Sequence, residues 1–156
     1  MKTAMILALA VLMQGEPTLT FETPKEWVKE TPASNMRKAQ YKVSDKEKKA
    51  GDAELLLFYF GAGGAGGVDA NLKRWAGQMG QTEYKSEAIE GKCKVTLVDL
   101  TGTYSDRGTS IENARMIAAV VATDQGPFFF KLVGPAETVG DWREETVQML
   151  KEARLP

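Results

Sequence analysis

The stretch Phe58-Tyr59-Phe60-Gly61-Ala62-Gly63-Gly64-Ala65-Gly66-Gly67-Val68-Asp69-Ala70-Asn71-Leu72-Lys73-Arg74-Trp75 joins an apolar strand to an amphipathic helix through a glycine string. Gly61, Gly63 and Gly66 satisfy G-x-G-x-x-G, the spacing at which a strand–turn–helix unit cradles a dinucleotide pyrophosphate. That use requires a second buried strand ending in a carboxylate about 20 residues further on. The segment at that distance, 83–90, reads Glu-Tyr-Lys-Ser-Glu-Ala-Ile-Glu and is too polar for a buried parallel strand. No Lys-Ser/Thr pair follows the glycines, so a phosphate-binding P-loop fails as well. The string reads instead as a connection that lets a strand leave the sheet and a helix fold back over it. A further use is a loop over a ligand pocket, with backbone N–H groups at the helix start free to hold an anion.

On either side of this stretch the pattern is one of strands. Residues 18–22 alternate and predict a strand. Residues 36–43 place Ala39, Tyr41 and Val43 on one face and Lys38 and Lys42 on the other, a half-buried strand. A polar hairpin loop follows, and 53–60 is nearly all apolar, as in a central strand covered on both faces. The helix over 68–80 carries Val68, Leu72, Trp75 and Met79 on one stripe, with Asp69 in its first turn and Gly80 to close it. An edge strand over 83–89, a long strand over 92–104, a polar loop over 105–113 and a hairpin of 116–123 with 128–133 come next. Gly134-Pro135 ends the last strand. A helix over 137–153 closes the chain, with Thr138 and Asp141 spaced as an acidic capping box.

The order β-β-β-α-β-β-β-β-α, joined largely by short turns, predicts an α+β domain over residues 17–156: a mainly antiparallel sheet of six or seven strands sandwiched by helices. Residues 1–16 resemble an export signal, with Lys2 ahead of an apolar run from Ala4 to Met13 that is too short to span a bilayer. No later run reaches spanning length, so no membrane span is expected in the mature chain.

Composition narrows the chemistry. The chain has 156 residues, a formal charge of −1, no histidine and one cysteine. The balanced charge argues against nucleic-acid binding, which needs a basic face. Without histidine there is no Ser-His or Cys-His nucleophile and no imidazole metal ligand. Cys93 shares a strand face with Val95 and Leu97 and reads as a small buried hydrophobe.

Trp27, Met36-Arg37, the glycine string, residues 71–75, the strand Val95-Thr-Leu-Val-Asp-Leu-Thr-Gly-Thr-Tyr104 and Phe129-Phe-Lys-Leu-Val-Gly-Pro135 together resemble a group of exported bacterial proteins of uncharacterised function. The resemblance spans residues 18–153. The element order is similar to the PsbP/Mog-type fold, whose members are mostly binding or assembly factors, and it carries over no catalytic residue.

The function expected is non-catalytic binding of an extracytoplasmic protein or a small ligand, with no metal and no cofactor. The candidate contacts are Gly63, Gly64 and Gly66 in the loop, Arg74 on the helix beside Trp75, and Trp27 and Arg37 flanking the turn at Pro32. The competing expectation is a hydrolase or transferase using carboxylates and Lys131. Lys131 stands out as a charge within an apolar strand, and this chemistry would need a cleft where it meets an acid such as Asp99 or Glu112. Tyr104, Asp106 and Arg107 lie at a strand end, where functional groups often sit.

Overall fold

The computed structural model describes residues 15–156, so nearly all of the signal-like stretch lies outside the described residues. Seven strands form one sheet in the spatial order β1-β2-β3-β7-β6-β5-β4. They are β1 (Val28–Glu30), β2 (Arg37–Val43), β3 (Ala53–Tyr59), β4 (Ser86–Glu90), β5 (Lys94–Asp106), β6 (Thr109–Ala122) and β7 (Phe128–Pro135). Every pairing is antiparallel. Helix α1 (Val68–Gln78) follows the glycine string, and α2 (Ala136–Asp141) and α3 (Arg143–Glu152) end the chain. The α+β antiparallel architecture predicted above is the one found, and β4 does lie at the sheet edge.

Because successive strand residues face opposite ways, the sheet has two separate apolar faces. Leu55, Leu57, Ile117, Ala119, Phe128, Phe130 and Leu132 pack against Val139, Trp142, Met149 and Leu150 of α2, α3 and the residue between them. Leu72 and Trp75 of α1, with Met79 just past its end, cover Val98, Leu100, Met116, Ala118 and Phe129 on the other face. Helix α1 lies against β5 and β6, and this leaves the same face of β2, β3 and part of β7 without a helix above it.

Three sequence expectations change. The alternating run 18–22 is not a strand: Thr20 makes one two-way bridge with Arg154, by hydrogen bonds of 2.7 and 3.0 Å. Its alternation reflects burial of Leu19 and packing of Phe21 edge-on to Phe130, with no continuous partner for the backbone. The first strand is Val28–Glu30 instead.

The span 105–113 is not a loop. Arg107 and Gly108, both at positive φ, close a two-residue turn between Asp106 and Thr109, the geometry that matches strand twist in a tight hairpin. Its polarity marks a solvated ribbon.

The closing helix is broken at Trp142, whose ψ of 8° leaves the helical range. The break lets its buried indole donate to the Ser44 carbonyl at 2.7 Å and meet Trp27 edge-on. Thr138 does not cap; its hydroxyl donates to the Gly51 carbonyl.

The β2–β3 hairpin is held by two carboxylates: Asp52 accepts from the Asp45 backbone N–H at 2.9 Å, and Asp45 makes the larger set. Asp45 accepts hydrogen bonds from the backbone N–H groups of Glu47, Lys49, Ala50 and Gly51 at 2.7 to 3.1 Å. These donors, Gly51 foremost, hold its pKa below the ordinary carboxylate value. A depressed carboxylate pKa stabilises the fold above the unfolded-state value, and the stabilisation is lost as pH falls through the folded one. Asp45→Asn therefore removes part of the acid dependence of stability below about pH 4. Chemical denaturation of both proteins across that range checks this, and parallel acid limbs would refute it.

Candidate functional site

The uncovered half of the α1 face forms a cleft of about 860 Å³, within the size range of small-molecule sites. Its floor is β3 and β7, contributing Glu54, Leu56, Phe58, Phe129, Lys131 and Val133. Arg74, Trp75 and Gln78 of α1 line it too, as do Met36 and Arg37 at the start of β2. The end of the β5–β6 hairpin adds Tyr104, Asp106 and Ile111. Phe58 stacks on Phe60 at 6.0 Å, and Phe60 and Met36 are exposed apolar residues in the lining.

The hairpin reaches this cleft because it bends. Lys131 pairs with Ala118, and Ala118 with Val98. A straight strand would carry Tyr104 about 20 Å beyond Val98. Between the pairs Gly102–Ala114 and Tyr104–Ile111, β6 has two residues, Glu112 and Asn113, where β5 has one. This is a β-bulge, which bends a strand and increases its twist. Asn113 takes the left-handed conformation there, and Gly102 has φ +151°.

The bend brings Tyr104 and Asp106 onto one lysine, which Gln78 of α1 meets from another side. Lys131 is 4% exposed. Its Nζ donates to Gln78 Oε1 at 2.8 Å, lies 3.8 Å from Asp106 Oδ2 and stands 4.7 Å from the centre of the Tyr104 ring. Burial lowers its pKa to about 8; Arg74 and Arg37 push the same way, while Asp106 and Glu54 oppose them. Tyr104 is shifted upward, mainly by burial and then by the Asp106 charge, so its phenol stays protonated.

Lys42 and Arg107 also line the cleft, and its two further arginines differ in their pairing. Arg37 donates to Gln40 Oε1 at 2.8 Å and meets Glu54 at 3.4 Å. Arg74 donates to the neutral Asn71 Oδ1 at 2.7 Å, and among the described residues no carboxylate pairs with it. Arg37 and Arg74, both singled out in the sequence, thus line one cleft with Lys131.

The remaining sequence candidates lie elsewhere. Trp27 is 5% exposed and packs on Trp142 behind the sheet, away from the cleft. Gly63, Gly64 and Gly66 are not in the lining, although Phe60 before them and Ala65 among them are. The loop is anchored: the fully buried Asn71 donates to the carbonyls of Ala65 and Gly67, both at 2.8 Å. A side chain at Gly64 would collide with the Phe60 carbonyl, so glycine is needed there for a close turn.

The acid beside Lys131 is neither Asp99 nor Glu112. Asp99 projects to the opposite face, where it accepts two bonds of 2.7 Å from Arg115 and one of 2.8 Å from Arg143. Glu112 is exposed on the bulge. Sequence reasoning missed the conjunction of Lys131, Asp106, Tyr104 and Gln78. Only Lys131 carried a strong signal, as an isolated charge in a run of phenylalanines.

No protein-family model matches this sequence, and no curated protein matches it. Solved structures do. The solution structure of the cyanobacterial PsbP (CyanoP) from Synechocystis sp. PCC 6803 superposes with a TM-score of 0.55 at 10% identity, over 91% of this chain and 95% of that one. The chain has a PsbP-like fold. Two further solved structures are similar to this chain at comparable scores. LpqN of Mycobacterium tuberculosis, described as involved in cell envelope biogenesis, gives 0.58 at 11% identity, over 90% of this chain and 84% of that one. A Pseudomonas aeruginosa protein of unknown function, PA94, gives 0.51 at 12% identity, over 88% and 95%.

Proposed function

We propose that this chain is a non-catalytic binding module of the extracytoplasmic space, and that it holds a small ligand in the cleft between α1, the β3–β7 floor and the bent β5–β6 hairpin. The observation that carries the reading is the cleft itself: an apolar aromatic wall facing a set of charged groups, one of them a buried lysine. Arg37 and Arg74 are its ligand contacts among the residues singled out in the sequence, and the glycine loop borders its rim. The extracytoplasmic assignment is supported by the signal-like stretch and by the involvement of LpqN, a protein of similar fold, in cell envelope biogenesis.

Native mass spectrometry of the protein recovered from its host tests this. The expected result is an excess mass that is lost on denaturation. The same protein carrying Phe58→Asp, a charge on the apolar wall, is expected to be recovered without it. A bare chain in both cases would overturn the small-ligand reading and favour a protein partner. Turnover of a released ligand that depends on Lys131 would favour lysine-based transfer chemistry over simple binding.

A further inference from the structure

We infer that the ligand of this cleft is an amphipathic monoanion, with its acid group between Lys131 and Arg74 and its apolar body along Leu56, Phe58 and Phe60. The inference rests on the binding role proposed above. Lys131 and Arg74 both line the cleft, and the Arg74 charge acts on Lys131. Gln78, which holds Lys131, lies one helical turn beyond Arg74 on the same face of α1, and residues four apart on a helix are neighbours. Among the described residues Arg74 has only the neutral Asn71 as a side-chain partner, and the nearest acid to Lys131 is Asp106 at a loose 3.8 Å. Two cations held in proximity with weak compensation favour an anion, which would take charge-assisted hydrogen bonds from both.

The apolar half of the ligand follows from the other wall. Phe58 and Phe60 stack on one another, Phe60 lies against Phe129, and Phe129 meets Trp75 edge-on. This strip continues outward to Phe60, one of the few large exposed hydrophobic residues. A wholly polar anion would leave it in water, and a neutral hydrocarbon would leave Lys131 and Arg74 uncompensated.

The arrangement gives binding a distinct pH dependence. The charged groups around Lys131 are Asp106 on β5, Arg74 on α1, Arg37 on β2 and Glu54 on β3, with Tyr104 protonated beside it. An anion binds best while Lys131 is protonated, so affinity falls as pH rises through about 8.

Calorimetric titration of the purified chain with decanoate, decanol and decyltrimethylammonium, at about pH 6.5 and about pH 9.5, decides the matter. Decanoate is expected to bind at least about tenfold more tightly than decanol at the lower pH, and the cation not at all. Raising the pH should weaken decanoate and leave decanol unchanged. Arg74→Met and Lys131→Met should each remove about tenfold for decanoate only, Lys131→Met should abolish the pH dependence, and Lys73→Met on the exposed side of α1 should change nothing. Equal binding of decanoate and decanol would overturn the anion assignment while leaving a binding cleft. Absence of decanoate binding to a chain that still carries a native mass would overturn the ligand class alone. Absence of both would overturn the small-ligand role as well.

Discussion

Lys131→Met is expected to stabilise the fold at neutral pH by about 2–3 kcal/mol. Burial holds the lysine pKa near 8 against an ordinary value of 10.5. The folded state therefore binds protons less tightly than the unfolded chain at this position. Below about pH 8 both states are protonated and the full penalty of a buried charge is present. Between about 8 and 10.5 the folded lysine loses its proton before the unfolded one, so stability rises with pH. Methionine fills similar volume among Phe129, Val133 and Tyr104 without the charge. The variant should be more stable at pH 7 and should show no rise between pH 8 and 10.5. At still higher pH both proteins should lose stability, because Tyr104 is held protonated in the fold and ionises more easily in the unfolded chain. Urea unfolding at a series of pH values measures all of this. A less stable variant would mean that the bonds to Gln78 and Asp106 outweigh the burial penalty. Loss of anion binding alongside gained stability is the signature of a group retained for function at the expense of the fold.

The second large effect is at Gly102. A side chain there would collide with the Met79 carbonyl oxygen at the end of α1, and the backbone φ of +151° is one that other residues rarely adopt. Both obstacles are backbone, so neither yields to a rotamer change. Gly102→Val is expected to destabilise by about 3 kcal/mol or more. Because Gly102 sits at the bend that turns the hairpin over the cleft, the damage should also be local. Tyr104 and Asp106 should withdraw and let water reach Lys131, and because burial is a larger influence than the lost Asp106 attraction, its pKa should return toward 10.5. Measuring the Lys131 pKa by NMR in the folded fraction separates this from general loosening. A destabilised variant with the lysine still near 8 would show that the bulge, not the glycine, sets the bend.

The antiparallel sheet and the positions of α1, β2, β3, β5 and the β6–β7 hairpin were legible, since each depends on a local period and a turn residue. What was illegible depends on pairing. The bulge at Glu112 and Asn113 exists only relative to the register of β5, and without it Asp106 cannot be placed beside Lys131. Asp99 and Asp106 are equally polar interruptions of one strand; seven residues and one bulge decide that the first meets Arg115 and the second meets Lys131. The break at Trp142 was hidden for a similar reason: the indole's partners, Ser44 and Trp27, lie far away in sequence. The isolation of Lys131 in a phenylalanine run was visible, but its acid was not.

Strand β7 runs through the middle of the sheet, with Phe128, Phe130 and Leu132 in the sealed core and Phe129, Lys131 and Val133 toward α1 and the cleft. Neighbouring positions of one segment thus answer to different selection pressures. Substitutions at Lys131 and Val133 can accumulate with little coupling to those on the far side of the sheet, since sites without shared partners behave additively. Relatives that keep every second residue of this strand while drifting at the intervening ones would be expected to fold alike and to differ in what they carry.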